Sequence, residues 1–309
     1  TTEVGARFAG TLGDRNGIEW SVKALQDLGF TNIRTPEVIV PRWIRGEASA
    51  ETLSPYRQEF VTLAIGGSIG TADEGLTAPV VMVKDVPELQ SLPAGAVKGK
   101  IVFFNGRMER TRDGSGYGKA VRSRTEGPSA AAASGAVGIV VRSIGTSTDR
   151  IAHTGTLSYN IAAPRIPALA VSNPDADTLS RQVASGKTVR FRLDLGSRHL
   201  DSVMSANVIG EIVGREKPEE IVLMAAHLDS WDVGTGAVDD ASEEQEGQRP
   251  GQPDDQTAER RAEERHDQDR LPTHAVGEPA QERRQDELRQ GVRRHERRDL
   301  EGAGVVLPR

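Results

Sequence analysis

The sequence contains no cysteine. That excludes disulfides and thiolate zinc sites, and leaves the cellular compartment open. Aromatic residues are scarce, at 4 %. No apolar run approaches the roughly 18 residues a membrane-spanning helix needs. Lysine is absent after Lys217, and aromatics are absent after Trp231. The chain opens on Thr1-Thr2-Glu3, with neither an initiator Met nor a signal segment, which decides nothing about export. A net charge of −6 is too small to point to nucleic acid or an anionic membrane as partner.

What is there changes texture along the chain. Asn16 to Gly29 reads as an amphipathic helix: Asn16 is a candidate N-cap, Glu19 completes a capping box, and Ile18, Val22, Leu25 and Leu28 recur at helical spacing. Gly29 suits the position just past its end. Phe30 to Val40 reads as a strand with turn residues inside it, and Arg42 to Ala50 as a polar loop. From about Gly66, short β-like runs recur: Pro79 to Val83, Lys100 to Phe104, Val137 to Val141, Ile166 to Val171 and Thr188 to Leu195. Gly127 to Gly135 and Pro174 to Ser185 read as two small helices, the second capped by Asn173. This predicts a β-rich α+β middle segment. Arg122, Arg124 and Glu126 can line a ligand groove or form ion pairs within a solvated loop.

Candidate chemistry is concentrated in Ile221 to Asp240, IVLMAAHLDSWDVGTGAVDD. The apolar run Ile221 to Ala226 predicts a buried strand of a parallel sheet, paired with a neighbouring strand in Met204 to Gly214. His227, Asp229, Asp232, Asp239 and Asp240 follow it, where open α/β sheets place their ligands. A catalytic zinc takes imidazole and carboxylate ligands. His227 supplies the imidazole, and Asp229 is close enough in sequence to reach its second ring nitrogen. Gly234 and Gly236 allow a turn that brings Asp239 back, and a carboxylate can bridge two metals.

The segment HLDSWDVGTGAVDD resembles the first metal motif of the zinc exopeptidases that include aminopeptidases and glutamate carboxypeptidases, in particular the carboxypeptidase Q branch. VGARFAGT, IVPRWIRGEAS, GGSIGT, GKIVFFN, RTEGPSAAAASGAVGIVVRS, HTG and PRIPALAVS are similar to that family in the same order, over about residues 4–242. The resemblance implies an α/β fold: an incomplete doubly wound zinc-peptidase core with an inserted β-rich protease-associated domain, followed by a charged tail. The corresponding segments are 1–65 and 199–242 for the core, 66–198 for the insertion and 243–309 for the tail. It further implies two Zn2+ ions per complete site, with His227 binding one, Asp239 bridging both and Asp229 supporting His227. The implied substrate is a small peptide, with homodimers and a periplasmic or extracellular location usual in such a family. His153 matches the inserted domain and is no ligand there, and His199 reads as structural.

After Ser242 the text departs from that family. Glu243 to Arg309 is dominated by Arg, Glu, Gln and Asp and lacks an apolar period. A disordered tail, an exposed charged helix and a shifted reading frame all account for it. Glu243-Glu244 comes too soon after Asp239 to be the family's base-and-ligand pair. Glu263-Glu264 and His266 lack a buried strand, and His274 and His295 sit in the same charge-rich text. The general base is therefore not identifiable, and the chain is expected to be inactive. The alternative is a non-catalytic protein that holds peptides or a partner through the protease-associated domain.

Overall fold

A computed structural model describes Glu3 to Gly236. The expectations for Asp239, Asp240 and 243–309 lie outside these residues. The chain forms two compact units. One is continuous, Arg42–Asp201; the other comprises the flanking segments up to Pro41 and from Ser202. In chain order the elements are α1 (Leu12–Asp27), β1 (Thr31–Arg34), β2 (Glu37–Ile44), β3 (Ala48–Ser54), β4 (Gln58–Glu59), β5 (Thr62–Ala64), β6 (Leu76–Val83), α2 (Val86–Ser91) and β7 (Ile101–Phe104). They continue with α3 (Ser115–Ala120), α4 (Arg122–Thr125), α5 (Gly127–Ala133), β8 (Gly138–Arg142), β9 (Ala168–Val171), α6 (Asn173–Ala184), β10 (Arg190–Leu195), β11 (Arg198–Ala206) and β12 (Ile209–Glu211).

The continuous unit is built on a mixed sheet ordered β4-β3-β10-β6-β7-β8-β9-β5. Its centre, β6 to β9, is parallel, with Val80 opposite Ile101, Ile101 opposite Gly138, and Ile139 opposite Ala168. Every residue of β7 (IVFF), β8 (GIVVR) and β9 (ALAV) is buried, as parallel strands covered on both faces require. Val102, Phe104, Ile139 and Val141 pack one face against Leu89 of α2 and Ala131 of α5. Elsewhere in the unit Phe191 of β10 meets Phe60 with ring centroids 5.5 Å apart.

The middle segment is thus less purely β than its sequence suggests. Helices α2 and α3 to α5 lie on the connections between parallel strands. The sequence predicts α5 at Gly127 to Gly135, whereas α2, α3 and α4 are too short for an apolar period to show. Caps hold α2 instead: Asp85 accepts a bond from the Glu88 N–H at 2.9 Å. Arg122, Arg124 and Glu126 are helical or at a helix end rather than in a loop. Arg122 pairs with Glu126 at 2.9 Å, while the buried Arg124 donates to the Thr154 and Thr156 carbonyls and to the Tyr117 hydroxyl.

Arg42 to Ala50 is mostly strand, not loop. Trp43 and Arg45 are buried and satisfied internally: Trp43 donates to the Ser68 carbonyl at 2.8 Å, and Arg45 to the Thr154 hydroxyl at 3.1 Å. Strands β3, β4 and β5, which a boundary at 66 assigns to the preceding segment, belong to this unit because β3 pairs with β10 and β5 with β9.

In the flanking unit, α1 starts earlier than expected. Thr11, rather than Asn16, caps it, accepting from the Asp14 N–H. Ile18, Val22 and Leu25 are half-buried, whereas Leu28 is exposed. Gly29 follows the helix with φ +81°, the left-handed conformation that favours glycine. Asp14 is buried and accepts from the Gly10 N–H at 2.8 Å and the Ser205 hydroxyl at 2.7 Å. Strands β1 and β12 pair antiparallel.

The predicted buried strand at Ile221 to Ala226 is not formed. These residues have no regular structure, and Ile221, Val222, Leu223 and Met224 are 82–90 % exposed. A parallel strand needs flanking strands to satisfy its backbone. Among the described residues none pairs with 221–226. The expected partner, Met204 to Gly214, instead divides between the end of β11 and β12.

Candidate metal centre

The histidine motif is held by the opposite end of the sequence. Arg7, in VGARFAGT, is buried and reaches over the loop that follows His227. Its Nε donates to the Leu228 carbonyl at 2.8 Å, and its Nη1 to the Thr235 carbonyl at 3.0 Å and the Gly5 carbonyl at 2.7 Å. Its backbone N–H donates to the Ser230 hydroxyl at 2.9 Å, and its carbonyl accepts from the Ser230 N–H at 3.1 Å. Planar forked donors suit this simultaneous capture of several carbonyls. Gly17 of α1 leaves the room for it: a Cβ there would stand 3.0 Å from the Arg7 Cδ. Beside this clasp Phe8 and Trp231 pack with centroids 5.6 Å apart.

Within the loop, the Asp229 carboxylate lies 2.9 Å from His227 Nδ1. Both side chains are largely exposed, at 64 % and 48 %. With Nδ1 beside a carboxylate, a metal held by this imidazole would be bound through Nε2. Val4, Arg7, Gly17, Trp20, His227 and Leu228 line an open cleft. Asp232 is exposed. Asp239 lies outside the described residues. His153 Nδ1 contacts the Ile144 carbonyl, and His199 Nε2 contacts the Gly67 carbonyl at 2.9 Å, so both rings serve local structure.

A catalytic zinc takes three protein ligands and keeps one position open. Among the described residues no group of three or more His, Asp and Glu side chains converges. One imidazole with its supporting carboxylate does not make up a zinc shell.

Residues 207–243 match the sequence model of Peptidase family M28. Carboxypeptidase Q of Xenopus laevis is 38 % identical over 237 residues, covering 77 % of this chain and 49 % of that protein. This chain is related to the M28 peptidases. It spans about half the length of the carboxypeptidase Q relatives it matches. In structure it is similar to the peptidase M28 precursor of Shewanella amazonensis, with a TM-score of 0.75 and 45 % identity over 82 % of this chain and 59 % of that one. A zinc aminopeptidase from Bacillus subtilis shares the mixed α/β fold, with a TM-score of 0.50 and 20 % identity over 78 % of this chain and 52 % of that one.

Sequence reasoning singled out His227 and Asp229 and missed Arg7. The available signal was its place in the matching segment VGARFAGT, a charged side chain among small and apolar residues.

Proposed function

We propose that this chain carries the first metal motif of an M28-type zinc exopeptidase acting on small peptides, and that it is catalytically silent as it stands. His227 is the metal ligand through Nε2, Asp229 supports it, and Asp239 is the bridging carboxylate. The observation that carries this reading is the His227–Asp229 contact at 2.9 Å, on a loop clasped by Arg7. Similarity to the M28 peptidases and to carboxypeptidase Q supports peptide hydrolysis, and the zinc aminopeptidase of Bacillus subtilis supports zinc as the metal. A peptidase core interrupted by a protease-associated domain and export from the cytoplasm belong to the same proposal. Among the described residues no helix is long and apolar enough to cross a membrane.

Silence follows from the donor set. The described residues supply one ligand, and the sequence after Ser242 has no apolar run longer than Val305–Leu307 from which a general base could be presented. Isothermal titration with Zn2+ on the full chain tests the proposal. The expected result is fewer than two tight sites, with the residual binding lost in His227→Ala. Asp229→Asn weakens that binding about 10- to 100-fold, the usual cost of losing a ligand's supporting carboxylate. Peptide turnover that His227→Ala abolishes would overturn the claim of silence. Zinc binding unaffected by either substitution would overturn the site and leave the non-catalytic peptide-binding reading.

A further inference from the structure

Between Glu220 and His227 the chain reads Ile-Val-Leu-Met-Ala-Ala, without charge, proline or glycine. Its four large side chains stand 82–90 % exposed. Among the described residues no backbone group of 221–226 has a hydrogen-bond partner. Six apolar residues with β-branched members at the start and low net charge form the type of window that pairs with identical copies. Among the described residues no strand pairs with the run. The sequence after Ser242 offers little to cover the run: it is rich in Arg, Glu, Gln and Asp, with Val305–Leu307 its single stretch of three apolar residues.

We propose that 221–226 is a self-association strand whose partner is the same segment of a second copy of this chain. Charge selects the direction. Parallel pairing in register sets Glu219, Glu220 and Asp229 against their own copies, and like charges directly opposite are destabilising. Antiparallel pairing centred on the run sets Ile221 opposite Ala226, Val222 opposite Ala225 and Leu223 opposite Met224, and brings Glu220 beside His227. A two-stranded ribbon is marginal alone, and its outer edges still present open backbone groups. Association therefore continues beyond a dimer rather than closing at two.

The test is sedimentation velocity on the full chain over a wide concentration range, with hydrogen exchange read by mass spectrometry at each concentration. The wild type is expected to assemble beyond a dimer, with protection of the 221–226 amides rising as it does. Leu223→Lys, a charge of the kind that breaks such windows, is expected to raise the concentration for half-assembly at least about tenfold. Ile161→Lys, which charges an equally exposed apolar site outside the run, is expected to leave it unchanged. A chain monomeric throughout, including one in which Val305–Leu307 covers the run, overturns the proposal. So does assembly that Leu223→Lys leaves intact or that Ile161→Lys weakens equally. Should Leu223→Lys fail to fold, wild-type exchange at 221–226 that is independent of concentration overturns it.

Discussion

Arg7 illustrates how one side chain fixes a functional loop from far away in sequence. Its guanidinium satisfies the carbonyls of Leu228 and Thr235, which otherwise need water. Removing the fork leaves those acceptors unmatched while the Ser230 bonds and the Phe8–Trp231 contact still tether the loop. Arg7→Lys keeps the charge but not the planar set of donors. The expected cost is about 1.5–3 kcal/mol, the range for hydrogen bonds to a charged group. It falls on local opening of the loop rather than on global unfolding. Hydrogen exchange of the 228–236 amides measures it: they should exchange faster in Arg7→Lys while those of β7 and β8 do not change. Equal acceleration in both regions would show that Arg7 acts on the whole fold instead.

Pairing between β1 and β12 depends on a charge. Glu211 takes hydrogen bonds from Arg34 and from Asn32 Nδ2, and these, the Arg34 bond foremost, hold its carboxyl below the ordinary glutamate range. A depressed folded pKa contributes stability that is complete above the unfolded value and is lost as pH falls through the folded one. Loosening of the β1–β12 ladder is thus expected only on the acid side, beginning below the ordinary glutamate pKa. Glu211→Gln should remove that dependence, leaving a pairing that is weaker at neutral pH and flat with acidification. Amide exchange at Ile209 and Arg34 across an acid titration reads the effect, and an unchanged pH profile in Glu211→Gln would refute it. Elements differ likewise in how legible they are. β7, β8 and β9 announce themselves as continuous apolar runs because both faces are buried. Trp43 and Arg45 mislead because their polar atoms are satisfied inside the protein, which sequence text does not display. Ile221 to Ala226 misleads in the opposite sense. Its composition is that of a buried strand, but strand formation needs neighbours, and a local pattern cannot say whether they are present. His227 and Asp229 were legible because two residues of separation suffice for their contact; the Arg7 clasp spans more than two hundred positions and was not.

At the scale of the whole molecule the two units are unequal. Every fully buried apolar side chain among the described residues, from Trp43 to Leu195, lies in the continuous unit 42–201. The flanking segments contribute half-buried and exposed apolar residues only, and their buried side chains are the polar Arg7 and Asp14. Burial of apolar surface is the main favourable term in folding, so the stability of the chain is concentrated in one unit. All eight strands of the large sheet fall inside it. The cuts at 41/42 and 201/202 pass through β2 and β11, outside that sheet. A polypeptide of residues 42–201 is therefore expected to fold cooperatively by itself. Its urea m-value should match the surface exposed by unfolding a domain of that length. Calorimetry and urea denaturation of the excised segment, set beside the full chain, check this. A broad, non-cooperative transition in the excised segment would mean that the flanking residues supply stabilisation which the distribution of buried apolar side chains does not reveal.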